Sequence, residues 1–318
     1  MVDEIKTNPN LFELNKYFDN INFRYFEAGI PNLKYFENVN CYNCGSNEIS
    51  NEFTFKNFRH VRCKKCDMIY VNPRLKEAIV HGRYNETIYD KFYDIKIIPS
   101  IGYRRNVLGL NKYKQVALHF SEPQRVLDIG CGVGEVLSVF KEHKWDCLGI
   151  EFNEHASKYA REEFGLEIIN KSVYDFKDNM KFEVILMFGV LEHLHAPAKI
   201  LRKIHKLLTK DGILVIEVPS ADSLLVRSVE NGCLTKVDRI IEGDRHLMLF
   251  SVRGFKSMVE SAGFKTSQLI SNGLDISTIN RNFLLNKIGQ TEIDYLQELI
   301  DKNLEGDLLR GFFTKQEI

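Results

Sequence analysis

From about residue 121 the chain alternates short apolar runs with amphipathic stretches. RVLDI, DCLGI, LEIIN, FEVILM and ILVIEV are mostly apolar on consecutive positions, as strands buried on both faces of a parallel sheet are. Between them GEVLSVFKEH, HASKYAREEFG and APAKILRKIHKLL have helical periodicity, with Leu201, Ile204 and Leu208 of the last on one face. The alternation predicts an α/β fold, a sheet of about seven strands with helices on both faces. From Ser220 to about Phe250 it lapses without a strand pattern, which predicts a helical insertion, a lid over the carboxyl edge of the sheet. Beyond it VRGFKSMVESAGF reads as a helix and KTSQLIS as a sixth strand. The residues from Glu292 onward read as an amphipathic helix and a short FFTK strand.

The amino-terminal third has a different grain. Residues 1–40 are aromatic-rich with a loose helical repeat, as in LFELNKYF, and predict an N-terminal helical segment. Residues 41–75 contain FTFKNFRHVRC and MIYVNPR, short alternating stretches that predict the strands of a small module. Residues 76–120 read as a helical cap ending at the Ser121, Glu122, Pro123 break, and 121–318 as the main domain, with its lid at about 220–250.

Composition narrows the function classes. Of 318 residues, 43 are Lys or Arg and 43 are Asp or Glu, so no global basic field exists to hold a long run of phosphates. No apolar run approaches the length of a membrane-spanning helix, and MVDEIKTNPN has neither the basic start nor the apolar core of a signal peptide. A cytoplasmic protein is expected. Seven cysteines in that reducing compartment favour metal binding over disulfides. Four of them form two pairs, Cys41 with Cys44 and Cys63 with Cys66, separated by 18 residues. Pairs at this spacing can bring four thiolates to tetrahedral positions about one zinc ion. Such a closed site has no open coordination position, so a structural zinc is expected, contributing roughly 10 to 16 kcal/mol toward folding a module with a tiny core.

The sharpest feature is VLDIGCGVGEVL. A buried strand ends in Asp128 and runs through Gly130, Gly132 and Gly134 into a helix whose first N–H groups are unpaired. A dinucleotide fingerprint needs a third glycine where Glu135 stands. A diphosphate meets that carboxylate unfavourably, whereas a zwitterionic methionine moiety does not. Glu151, seventeen residues past Gly134, closes the second strand, where a carboxylate can accept both ribose hydroxyls of an adenosine.

This combination resembles the class I S-adenosylmethionine-dependent methyltransferases over roughly Gln124 to Phe264, and LTKDGILVIEVPS resembles the helix, turn and fifth strand of the same family. The resemblance implies a Rossmann-like sheet, S-adenosylmethionine as cofactor and S-adenosylhomocysteine as product. It assigns Asp128, Gly130, Cys131, Gly132 and Gly134 to the methionine part and Glu151 to the ribose, with Phe152, Ser172, Val173 and Phe188 completing the cofactor pocket. Many members have an aspartate where Ser172 stands, so the adenine contact here would rest on the Ser172 hydroxyl and backbone N–H groups. CYNCGS followed by CKKCDMIYVNPR and GRYNETIYDKFY is similar to methyltransferases with an amino-terminal zinc-binding domain, among them sugar C-methyltransferases and enzymes of surface-polysaccharide pathways. That similarity implies a small acceptor, such as a nucleotide-linked sugar or a phosphorylated metabolite.

Methyl transfer from a sulfonium is an in-line displacement, so the enzyme aligns nucleophile, methyl carbon and sulfur, and removes a proton when the acceptor is a hydroxyl. Histidine is the natural base. FGVLEHLHAP, directly after the fourth strand, offers Glu192, His193 and His195 where open α/β folds bind ligands, and DRHLMLFS offers His246. Tyr84, Tyr89, Tyr103, Arg104 and Arg105 of the cap are further candidates to reach cofactor or substrate. Two other functions compete. One is an RNA or DNA methyltransferase gripping nucleic acid through the zinc module, whose KNFRHVRCKK is locally basic. FGVL in place of the N/D/S-P-P-Y/F motif of base amino-group methyltransferases, and the neutral overall charge, weigh against it. The other is a non-catalytic binding protein, against which the intact glycine loop and Glu151 weigh.

Overall fold

The computed structural model describes residues 24–84, 87–177, 179–234 and 239–316. Its strands of three or more residues are β1 (Ile49–Phe55), β2 (Phe58–Cys63), β3 (Ile69–Val71), β4 (Arg125–Ile129), β5 (Asp146–Glu151), β6 (Glu167–Asn170), β7 (Phe182–Phe188), β8 (Leu208–Pro219), β9 (Phe264–Asn272) and β10 (Leu308–Lys315). The described residues divide into two units, the first drawn from 24–35, 76–187 and 207–212, the second from 36–75, 188–206 and 213–316.

In the first unit four parallel strands follow the order β6-β5-β4-β7. Their continuous apolar runs are buried: Val126, Leu127, Ile129, Leu148, Ile150, Val184, Ile185 and Leu186 are all in the core, which is why these strands do not alternate. Helix Glu135–Glu142 follows β4 and buries Val136, Leu137, Val139 and Phe140. Helix Glu154–Phe164 follows β5; Asn153 caps its start by accepting the Ala156 N–H at 2.8 Å, and Gly165 ends it in the left-handed conformation. The cap region is helical, with Glu77–Tyr84, Thr87–Phe92 and Leu110–Ala117 as its α segments and wider π turns from Arg104 to Gly109.

In the second unit three antiparallel strands follow the order β8-β10-β9, with Val215 opposite Phe312 and a bulge between Thr266 and Gln268. The FFTK segment is the end of the longer β10. A smaller sheet has the order β3-β2-β1, with the two-residue strand Met248–Leu249 on the free edge of β3. Four strands in one unit and three in the other give the seven expected of a Rossmann-like α/β fold. Among the described residues no helix is long and apolar enough to cross a membrane.

Two stretches differ from the sequence reading. The 220–250 region does contain a helix, Leu224–Glu230, but also the strand Met248–Leu249, antiparallel to Ile69 and Tyr70. Two residues are too few to show alternation, and the pairing partner is remote in sequence. Most of the proposed amino-terminal helix, residues 1–23, lies outside the described residues. From there Phe26–Glu27 and Ile30–Pro31 pair as a hairpin whose two turn residues, Ala28 and Gly29, have positive φ of 50° and 81°, a turn that matches strand twist and ends any helix.

In the second unit Arg310, 3% exposed, donates through Nε to Glu217 Oε2 at 2.9 Å, and its guanidinium carbon lies 5.7 Å from the Phe188 ring centroid. Removing one partner of a buried pair strands the other charge, at a cost of about 3–5 kcal/mol. Glu217→Ala should therefore lower the unfolding free energy by about that amount in urea titrations, and Glu217→Gln by less; an unchanged midpoint in both variants would contradict this.

Candidate functional site

The glycine loop belongs to the first unit and is fastened to the end of β5. The Gly130 and Cys131 N–H groups donate to the Ile150 carbonyl at 2.7 and 3.2 Å, and the Gly132 N–H donates to Glu151 Oε2 at 2.9 Å. Glu151 Oε1 in turn accepts the Asn153 N–H at 2.8 Å. Burial pushes the Glu151 carboxyl above its ordinary range, while the N–H groups of Asn153, Gly132 and Phe152 pull it back. A carboxylate has about four lone-pair directions, more than these N–H groups occupy. Gly130, Gly132 and Gly134 all have positive φ, 72°, 55° and 80°, a run that side-chain-bearing residues rarely adopt. Gly134 is the tightest, because a Cβ there would lie 2.5 Å from Leu166 Cδ1 and 3.1 Å from Ala160 Cβ.

Asp128, at the end of β4, is 3% exposed, and burial, then Glu135 and Glu151, raise its pKa well above the usual carboxylate range. Lys112 acts in the opposite direction on Asp128, and part of the remaining negative charge is taken up elsewhere. Arg104 donates through Nε and Nη2 to Glu135 Oε1 at 3.0 and 2.6 Å. Arg105 bonds Ser138 and Glu142 on the same helix. Both arginines thus reach from the cap to the helix that follows the glycine loop, through acidic partners the sequence did not reveal.

Of the other cofactor candidates, Cys131 is buried, its Sγ only 2.7 Å from where a Cβ on Gly149 would sit, so its side chain packs into the sheet. Phe152 lies 5.7 Å from the His81 ring, which is also 6.1 Å from Tyr174. The Ser172 hydroxyl accepts the Tyr174 N–H at 3.3 Å, holding the Ser172–Val173 turn. Phe188 ends β7, and the second unit counts it among its residues. Sequence reasoning missed Asn170. Its amide donates to the Glu151 and Phe152 carbonyls, both at 3.0 Å, and to Ser157 Oγ at 3.1 Å, setting the chain as it leaves β5. An asparagine ending a strand was the available signal.

In the second unit Glu192, His193 and His246 come together, with a carboxylate oxygen and one ring nitrogen from each histidine within 4.8 Å of one another. Burial pushes the Glu192 carboxyl up to about 8, with Glu217 and Glu242 adding to it. Burial also pulls His193 down to about 3 and lowers His246, so both imidazoles stay neutral near pH 7. His195 stands outside this group: its Nε2 is 3.0 Å from the Leu75 carbonyl, and Arg74 donates to its own carbonyl.

The four cysteines also converge in the second unit. Cys41 and Cys66 sulfurs are 3.4 Å apart, Cys44 and Cys63 sulfurs 3.5 Å, and all four lie within 4.8 Å. These spacings are far from a disulfide bond of about 2.0 Å and near the edge of about 3.8 Å that a tetrahedron of 2.3 Å zinc–sulfur bonds requires. Each pair sits on a matching turn, with the Gly45 N–H donating to the Cys41 carbonyl and the Asp67 N–H to the Cys63 carbonyl, both at 2.9 Å. The donor set fits zinc. The neighbouring basic stretch is largely neutralised within the unit: Arg59 pairs with Glu52, Arg62 with Glu230 and Asp222, and Lys65 with Glu48.

Residues 103–269, just over half of the chain, match the family model described as a methyltransferase domain. The chain belongs to this methyltransferase family. The methyltransferase is 23% identical over 211 residues to the tRNA U34 carboxymethyltransferase of Sulfurimonas denitrificans, covering 63% of this chain and 67% of that one. It is 32% identical over 102 residues to the ubiquinone biosynthesis O-methyltransferase of Actinobacillus pleuropneumoniae, covering 29% and 44%. Among solved structures, the 1,6-didemethyltoxoflavin-N1-methyltransferase of Burkholderia thailandensis, with 1,6-didemethyltoxoflavin and S-adenosylhomocysteine bound, has a TM-score of 0.53 at 14% identity, over 84% of this chain and 100% of that one. That likeness concerns the fold. Family and fold together make the chain an S-adenosylmethionine-dependent methyltransferase of Rossmann-like architecture.

The loop geometry separates two of its glycines. Gly134→Ala combines left-handed strain with a collision and should destabilise the protein by about 1–3 kcal/mol, whereas at Gly132 a Cβ would meet nothing closer than 3.9 Å. Denaturant titration should rank Gly134→Ala as the more damaging; the reverse order would show that the Leu166 and Ala160 contacts do not constrain the loop.

Proposed function

We propose that the methyltransferase carries S-adenosylmethionine on the Asp128–Gly134 loop and Glu151, and transfers its methyl group to an oxygen or carbon of a small acceptor. The observation that carries the cofactor half is the Glu151 carboxylate, held at the end of β5 by the Gly132 and Asn153 N–H groups with acceptor capacity left over for ribose hydroxyls. The acidic surroundings of Asp128 suit the α-ammonium and sulfonium charges of the cofactor, and the Phe152, Ser172 and Val173 region suits its adenine. When bound, the cofactor supplies an electrophilic methyl carbon. The chain's own residues would orient it, exclude water and handle the acceptor. Glu192, His193 and His246 are the groups assigned to the acceptor.

The four cysteines hold a structural zinc in this reading, and thiolate ligation suits the reducing cytoplasm. A sugar-derived or phosphorylated acceptor of surface-polysaccharide or secondary metabolism follows from the similarity of the zinc module to that of sugar C-methyltransferases. Nucleic acid is the second reading, favoured by the tRNA-modifying relative. Against it, Arg59, Arg62 and Lys65 are engaged by acidic partners, which leaves less charge for phosphates. Binding to tRNA that falls steeply with salt would favour the second reading.

Calorimetric titration with S-adenosylhomocysteine tests the cofactor half. The wild type should bind, and Glu151→Ala should bind about tenfold to a hundredfold more weakly, since a hydrogen bond to a charged group is worth about 1.5–3 kcal/mol. Equal affinity in both would remove Glu151 from the site. The purified chain should also contain one zinc per molecule, and a strong chelator should lower its Tm; a metal-free chain with unchanged Tm would contradict the structural zinc.

A further inference from the structure

Glu192, His193 and His246 converge without bonding one another. Glu192 Oε1 and His193 Nε2 are 3.9 Å apart, beyond hydrogen-bond reach, and the two imidazole centroids are 4.9 Å apart. Each ring is anchored through its other nitrogen. His193 Nδ1 lies 2.9 Å from the Arg245 carbonyl oxygen, and His246 Nδ1 bonds the Ile240 carbonyl. A carbonyl only accepts, so each neutral ring carries its proton on Nδ1 and presents the Nε2 lone pair. Glu192 is 3% exposed, and its Oε2 makes no hydrogen bond among the described residues. The two chain segments are tied together by the Leu247 N–H donating to the Glu192 carbonyl at 2.9 Å.

We propose that Glu192, His193 and His246 bind a divalent transition-metal ion, separate from the four-cysteine site and different in ligand chemistry. A general base requires one positioned side chain, whereas two imidazoles in the same tautomer beside a buried carboxylate, each ring oriented by a backbone carbonyl, is how proteins preset metal ligands. Two nitrogen donors select zinc, manganese, iron or cobalt over magnesium and calcium, which prefer oxygen. With bonds of about 2.1 Å a tetrahedral edge is about 3.4 Å, so the 3.9 Å spacing needs to close by about half an ångström. The charges around the group are Glu217, which is paired with Arg310, Glu242, which is paired with Arg245, and Asp244. Three protein ligands leave coordination positions open; resting on the methyl-transfer reading, these would take oxygen donors of the acceptor, which makes a hydroxylated acceptor the matching class.

The test uses the full-length chain with zinc in its cysteine site, titrated with Mn2+ and followed by the paramagnetic resonance signal of free Mn2+, with Zn2+ calorimetry in parallel. One equivalent beyond the cysteine-bound zinc is expected. His193→Ala, His246→Ala and Glu192→Gln should each weaken binding roughly tenfold or more, while the exposed His119→Ala should not. Circular dichroism and S-adenosylhomocysteine titration of the same preparations report whether each variant is folded. No uptake by the wild type, or undiminished uptake in both histidine variants, overturns the site. A chain that binds S-adenosylhomocysteine but no added metal sinks this inference alone. One that binds the metal but not S-adenosylhomocysteine supports the site and sinks the cofactor reading.

Discussion

The structure of the glycine loop depends on one hydrogen bond, from the Gly132 N–H to the Glu151 carboxylate. It closes the loop after β4 onto the end of β5, and the neighbouring bonds from Gly130 and Cys131 to the Ile150 carbonyl only work if the backbone is free to turn there. Three glycines with positive φ supply that freedom. The cost is a buried carboxylate whose charge is opposed by burial and moderated by three N–H groups. Burial and the neighbouring carboxyls disfavour charge on Asp128, while Lys112 opposes this and Arg104 from the cap pairs with Glu135. In the reading proposed above, an acidic loop of this kind suits a cationic amino acid better than a diphosphate.

The second unit solves a different physical problem. Its small sheet of β1, β2 and β3 has a modest apolar core, which includes Phe55, Ile69 and Leu249 and is completed by residues of the 220–250 region such as Leu225, Val226 and Ile241. The 220–250 region is therefore part of the folding unit of the cysteine module, through both that core and the pairing of Met248–Leu249 with β3. The charge pairing of Arg62 with Glu230 and Asp222 joins the same two stretches. Of the basic stretch in the sequence, Arg62 is drawn into this buried pairing, while Arg59 and Lys65 pair at the surface.

The sheet strands were legible to within a few residues because burial on both faces writes itself as consecutive apolar positions, as in Val126 to Ile129. The glycine loop was legible because positive φ and close approach restrict the residue type. Other parts were not. The Ala28–Gly29 hairpin and Met248–Leu249 are too short to carry a period, and their pairing is decided by tertiary context. Asn170 and the Arg104–Glu135 pair act through geometry that no spacing encodes. The histidines near Glu192 could be named from sequence, but the carbonyls of Arg245 and Ile240 that fix their tautomers are invisible there, because any residue supplies a carbonyl.

A crystal structure with S-adenosylhomocysteine bound tests the central claim most directly. The account predicts both ribose hydroxyls on the Glu151 carboxylate, with the Gly132 N–H bond to that carboxylate kept and the amino acid moiety along the Asp128–Gly134 backbone. Density for the nucleoside elsewhere, or a Glu151 side chain turned away from it, would contradict the account.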